Sequence, residues 1–148
     1  QWLAAVEWHR KLAACLVLRE LAKKAPSWVY SRMVEIIPQI VTAVHEGKEK
    51  VRETAAEALT MCLDMSQRRP NRLTLDWRYI VFQELRSGFT KRTEEYVHGS
   101  ILMSGAMLEH GGSFMMPRFD EICNAVMDLK HNHLRYELLL LLVRLVCF

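Results

Sequence analysis

The chain has 148 residues, 51% of them hydrophobic, with six glycines, four prolines and a formal net charge of +3. That length allows one ordinary domain with a sizeable core, and the composition excludes disorder and argues for a helical class. A charge of +3 lacks the dense Lys/Arg patch of a dedicated nucleic-acid binder. The longest apolar run, Leu138–Val143, falls far short of the ~20 residues of a membrane span.

In chain order, Trp8, Leu12, Cys15, Leu16 and Leu21 lie at helical spacing, and Lys23-Lys24 suit a helix C-terminus. Pro26-Ser27 punctuates the chain. The spacing of Val29, Met33, Ile36, Ile37, Ile40, Val41 and Val44 predicts one helix from about Ser27 to His45, kinked at Pro38. Gly47 is expected in a left-handed conformation ending it. A second helix opens on Val51-Arg52, with Val51, Ala55, Leu59 and Cys62 as its stripe. Residues 66–75 read as a polar linker. Asp76 is the expected N-cap of a shorter helix that carries Trp77, Ile80, Val81 and Leu85 and stops near Ser87-Gly88. Thr93 is placed as the cap of the next, with Glu94 and Glu95 in its first turn. Gly99 and Gly105 within that helix imply close packing, and Gly111-Gly112 ends it. A helix over Phe114–Lys130 and a last one over Leu134–Phe148 complete the reading.

The helix openings His9-Arg10, Val51-Arg52, Val97-His98 and Leu134-Arg135 lie 42, 46 and 37 residues apart. A helix pair recurring at roughly 40–47 residues is the period of HEAT and armadillo arrays. The expected fold is therefore all-α, a right-handed α-α superhelix of about four helix pairs, with repeats near 1–25, 26–67, 74–112 and 113–148. Arg10, Val51, Arg52, Val97, His98, Leu134 and Arg135 are its structural repeat positions. The basic residue opening each second helix is placed to reach carbonyls or carboxylates of the adjacent repeat. Such units need stacked neighbours to bury both faces, which accounts for the apolar ends and points to an excised fragment.

Catalytic chemistry finds little support. There is no G-x-G-x-x-G loop, H-R-D or D-F-G. His110, Cys123, His131 and His133 match no standard zinc spacing, so no metal or cofactor is assigned. Cys15, Cys62, Cys123 and Cys147 form no CxxC and read as reduced thiols of a cytosolic or nuclear protein. Two basic clusters, Arg68, Arg69 and Arg72 and then Arg86, Lys91 and Arg92, read as loops on one rim and as a candidate surface for an acidic partner segment.

Four segments carry a family resemblance: LAACLVLRELA (Leu12–Ala22), Asp76-Trp77-Arg78-Tyr79, VHGSIL (Val97–Leu102) and GGSFMMPRF (Gly111–Phe119). In this order they resemble the N-terminal HEAT region of the target-of-rapamycin (TOR) protein kinases, from about Glu7 to Phe148. The resemblance implies a non-catalytic superhelical scaffold within a large serine/threonine kinase that senses nutrients and controls growth. It also implies docking of an adaptor such as the regulatory-associated protein of TOR, and of a second TOR copy. Two other readings stand beside it. One is a HEAT adaptor or transport protein outside the kinase class. The other is a HEAT-like DNA glycosylase, which needs a basic cleft with a catalytic carboxylate.

Overall fold

The computed structural model describes residues 1–129 and is all-helical there. Its helices are α1 (Trp8–Lys24), α2 (Pro26–Ser31), α3 (Met33–Ala43), α4 (Glu49–Arg68), α5 (Arg72–Lys91), α6 (Glu94–His110) and α7 (Phe119–Met127). Short 3-10 segments occupy Trp2–Ala4 and Gly112–Arg118. The helix expected over Leu134–Phe148 lies outside the described residues, as do Leu134, Arg135, His131, His133 and Cys147.

Two layers result. Helix α4 packs on α1 to one side and α6 to the other, so these three form an inner layer. Helices α3 and α5 lie side by side in the outer layer, α3 against α4 and α5 against α6. The stripes meet between the layers: Met33, Ile37 and Ile40 of α3, Val51, Leu59 and Leu63 of α4, Leu85 of α5, and Met103 and Met107 of α6 are all essentially inaccessible. This is a HEAT-type solenoid, in which each pair completes its core against the next.

Several boundaries differ from the sequence reading. The predicted Ser27–His45 helix is two helices, broken at Arg32 (φ −108°, ψ 7°), whose N–H reaches back only three residues to Val29 O. Pro38 lies inside α3 without ending it; the Pro38 carbonyl accepts from Thr42 Oγ1 at 3.1 Å. Gly47 does not adopt a positive φ, as Gly112 does. The α3 end is instead closed by three-residue bonds from His45 and Glu46 N–H, and the Glu46 and Gly47 carbonyls are taken up by Arg52.

The polar linker of residues 66–75 is mostly helix. Helix α4 continues to Arg68, and α5 begins at Arg72 behind a capping box. Asn71 Oδ1 accepts from Thr74 N–H at 3.2 Å, and Thr74 Oγ1 accepts from Asn71 N–H at 3.3 Å. Asp76 therefore lies within the helix and not at its cap. Helix α5 also passes through Ser87-Gly88 and ends at Arg92, in the left-handed region at φ 57°. Thr93 is the N-cap of α6 by position, though its side chain makes no capping bond. Beyond Gly111, a 3-10 stretch containing Pro117 replaces the first part of the Phe114–Lys130 helix.

Candidate functional site: inter-repeat joints and a basic edge

The turn between α3 and α4 is organised by one buried cation. Arg52, 5% exposed, donates from its Nη1 to Glu46 O at 2.8 Å and to Gly47 O at 2.9 Å. Its Nε–H donates to Nδ1 of His98, 1% exposed, on α6 at 2.9 Å. A ring nitrogen that accepts carries no proton, so this geometry assigns the His98 tautomer with hydrogen on Nε2. On the opposite side Lys11 of α1 pairs with the Glu46 carboxylate at 2.5 Å. That hydrogen bond, aided by the Gly47 N–H and the charges of Lys11 and Arg52, holds the Glu46 carboxyl below its usual range against desolvation. A continuous polar path thus runs α1–turn–α4–α6.

Of the proposed repeat positions, Val51 and Val97 are fully buried beside this path. Arg10 is exposed and pairs with Glu7, the N-cap residue of α1, at 3.4 Å; its neighbour Lys11 makes the cross-joint contact. Lys11 and Glu46 were not visible as a pair in the sequence, because nothing local links positions 35 residues apart.

The four family-like segments sit at the joints. In VHGSIL, a Cβ on Gly99 would collide with Val44 O and the His45 ring, and one on Gly88 of α5 would collide with Ser100 Oγ. Glycine at both places lets the turn and α5 close on α6. The Asp76–Tyr79 and Gly111–Phe119 segments meet each other. Arg118 donates to Phe114 O at 2.6 Å and to the Tyr79 hydroxyl at 3.0 Å. Its guanidinium lies 3.7 Å from the Phe114 ring centroid, 5.0 Å from Tyr79 and 5.4 Å from Phe82. Trp77 meets Tyr30 of α2 edge-on at 5.5 Å. In the first segment Arg19 pairs with Glu57 of α4 at 2.5 Å, while Cys15, Leu18 and Ala22 are buried.

His45 gives the joint a pH dependence. Its ring lies on Tyr96 at 4.6 Å, its Nε2 is buried without a hydrogen bond, and burial, then the Lys91 charge, lowers its pKa to about 4. Between that value and the ordinary 6.5 the unfolded chain binds the additional proton. The stabilisation is therefore complete above about pH 6.5 and is lost as pH falls towards 4. Urea melts at pH 7 and 4.5 are expected to differ by about 2 kcal/mol from this group. His45→Phe should flatten that slope; an unchanged slope would assign it elsewhere. The Glu46 contribution, from a carboxylate lowered below 4.5, is lost at still lower pH.

The two basic clusters are not brought together. Because α5 is continuous, Arg72 and Lys91 lie at its opposite ends, about 28 Å apart along the axis. Arg86 is not in a loop: it projects from α5 and pairs with Glu121 of α7 at 2.5 Å. Lys91 stands 4.0 Å over the Tyr96 ring beside the left-handed Arg92. At the other end Arg68 is 77% exposed and pairs with Asp64 at 3.0 Å. Arg69 is structural, with its guanidinium over Tyr30 and 3.3 Å from Ser27 Oγ. The Tyr30 hydroxyl donates to Arg69 O at 3.0 Å and accepts from Asn71 Nδ2. Arg72 is exposed. The remaining basic edge is thus Arg68 and Arg72 around a pinned Arg69.

Among the described residues no three His, Cys, Asp or Glu converge on a metal-sized site, and no helix is long and apolar enough to cross a membrane. His110 lies 3.6 Å from Asp64 and 3.5 Å from Glu109. Burial raises the Cys15 thiol to about 11 and Cys62 to about 12, so both stay protonated and unreactive at neutral pH. Cys123 is also raised, by burial and then Asp120.

The EF3 N-terminal HEAT repeat family model matches residues 3–59. Serine/threonine-protein kinase TOR of Oryza sativa subsp. japonica is 32% identical over 130 residues, 87% of this chain. The protein of the same description from Arabidopsis thaliana is 32% identical over 126 residues, 84% of the chain. Serine/threonine-protein kinase tor1 of Schizosaccharomyces pombe is 31% identical over 133 residues, 89% of the chain. The chain spans only 5%, 5% and 6% of these three relatives. No solved structure matches it. Matched along most of its length, and folded as stacked helix pairs, the chain belongs to the N-terminal HEAT-repeat region of the TOR kinase family.

Proposed function

We propose that this segment is a non-catalytic docking scaffold of a TOR-type serine/threonine kinase acting in nutrient and growth signalling. It holds an adaptor subunit such as the regulatory-associated protein of TOR and supports assembly with a second TOR copy. The parent protein carries the kinase domain elsewhere. It acts in the cytoplasm, and its complex takes it to lysosomal or vacuolar surfaces or to the nucleus. The observation that carries the reading is where the family-like segments lie. They lock repeat to repeat through Arg52–His98, Gly99 and the Arg118 cage, rather than converging on a cleft. Such joints fix the relative placement of surface residues, which is what a scaffold contributes to assembly. The repeats are assigned as approximately 1–25, 26–67, 74–112 and 113–148.

In this reading the edge formed by Arg68 and Arg72 receives an acidic partner segment. Arg68→Glu combined with Arg72→Glu in the full-length kinase is expected to reduce adaptor co-purification about tenfold and to leave the melting temperature within a degree or so. Arg69 is left intact because it holds the linker. Undiminished co-purification would remove this edge from the docking surface.

A further inference from the structure

The hydroxyls of Ser31, Thr42, Thr60 and Thr90 are each engaged within their own helix, donating to a carbonyl three or four residues back. Ser27 is different. It is exposed, and its Oγ accepts from Nη1 of Arg69, 42 residues further on, at 3.3 Å. The Arg69 guanidinium is held from two sides: it lies 5.7 Å from the Tyr30 ring centroid, and the Tyr30 hydroxyl donates to the Arg69 carbonyl at 3.0 Å. Its charge pairs with no carboxylate among the described residues, whereas that of Arg68 is met by Asp64. A pre-oriented cationic fork with no anion on it, aimed at an exposed hydroxyl, is the geometry that a phosphoserine completes.

The chain leading into Ser27 supplies a second observation. Lys23 and Lys24 end α1, four and three residues before it, and both are exposed. Lys24 pairs with no carboxylate among the described residues, and Lys23 reaches Glu20 of its own helix at 3.4 Å. Ammonium groups on the N-terminal side of a hydroxyl are the charge pattern that basophilic serine/threonine kinases select. The backbone is also broken here, since Ala25, at φ −135° and ψ 57°, separates α1 from α2. Helix α2 has six residues, too few to be stable alone, so this segment opens at small cost to the extended form that a kinase cleft takes.

We infer that Ser27 is a phosphorylation site and that Arg69 receives its phosphate, latching α2 to the linker between α4 and α5. The co-substrate is ATP. The kinase's catalytic aspartate takes the Ser27 hydroxyl proton, Oγ bonds to the γ-phosphorus, and the bond from that phosphorus to the β-phosphate oxygen breaks to release ADP. The product carries a charge of about −1.5 to −2 and three acceptor oxygens. Arg69 then has acceptors for both of its Nη groups, where the hydroxyl engages one. The phosphate also withdraws positive charge from the edge of Arg68, Arg69 and Arg72. That consequence rests on the docking reading; the latch does not.

The test treats the 148-residue chain with ATP and the catalytic subunit of cyclic-AMP-dependent protein kinase, a basophilic enzyme. Tandem mass spectrometry should place phosphate on Ser27, and Lys23→Ala with Lys24→Ala should slow its incorporation at least about tenfold. The phosphorus-31 resonance should titrate about 0.5 or more below the ordinary phosphoserine value of about 6, because the guanidinium favours the dianion. Amide exchange at Asn71 and Thr74 should slow about fivefold or more on phosphorylation. Arg69→Gln should erase both effects, and Arg69→Lys should restore part of the first. The titration is read on the unsubstituted chain, so a poorly folded variant does not blunt it. Absence of phosphate from Ser27, or a phosphate that titrates like a free phosphoserine, would overturn the assignment. In the full-length kinase, phosphorylation should reduce adaptor co-purification as Arg68→Glu with Arg72→Glu does. Unchanged co-purification beside a lowered titration would remove the edge from the docking surface and keep the latch.

Discussion

Leu59→Asp is expected to abolish the cooperative thermal transition of the chain and most of its helical circular dichroism signal at 25 °C. Leu59 is fully inaccessible at the centre of α4, the helix that touches α1, α3 and α6 at once. Removing its side chain from the core forfeits about 2–5 kcal/mol. Placing a carboxylate there adds a desolvation cost of several kcal/mol, or the work of protonating it at neutral pH. Together these approach the whole stability of an ordinary domain, about 5–15 kcal/mol. The conservative Leu59→Met should cost less than about 1.5 kcal/mol and keep the transition. A Leu59→Asp chain that melts like its parent would show that α4 does not bury this face.

The second large effect is expected at Arg52. Arg52→Leu keeps the bulk but deletes three hydrogen bonds, two to turn carbonyls and one to His98. Water can reach Glu46 and Gly47, which are half-buried and exposed, but not Nδ1 of His98. An acceptor left buried without its donor, with the charge-assisted bonds gone, amounts to about 3 kcal/mol. Arg52→Lys should recover only part, because a single ammonium cannot span the turn and the ring together. Combined with His98→Leu, the loss should fall short of the sum of the single losses by at least about 1 kcal/mol, read from urea melts. Strict additivity would mean that the two side chains are neighbours without an energetic link.

The apolar periods disclosed much of the layered core. Val51, Ala55, Leu59 and Cys62 stand on one stripe and are buried together. The first turn of α5 was hidden because it shows Arg72, Leu73 and Leu75 to solvent, with Thr74 alone inside. Such a turn has no amphipathic signature, and the Asn71–Thr74 box that starts it is a weak local signal. A helix running only from Asp76 to near Ser87 leaves Arg72 and Lys91 in flanking loops that could share one rim, whereas the continuous α5 holds them at its two ends. Arg52 could be read as a joint residue from its position beside the turn. His98 could be read the same way from its helix opening, but the bond between the two, 46 residues apart, could not. The Arg118 cage was legible only as a family-like segment, since three aromatic rings around one guanidinium come from two parts of the chain.

The tie from Arg52 to the turn and to His98 bears on how such a stack deforms. Apolar helix faces in contact resist separation but slide past each other at little cost, since dispersion and burial hardly depend on direction. Hydrogen bonds from a planar guanidinium do depend on it, weakening steeply once the donor angle falls well below about 150°. A twist of α6 against α4 must therefore strain the bond to His98 or pull Arg52 away from its carbonyls, because one rigid group serves both. The segment should respond to load as a spring with one stiff rotational mode at this joint, passing torque from one pair to the next rather than absorbing it.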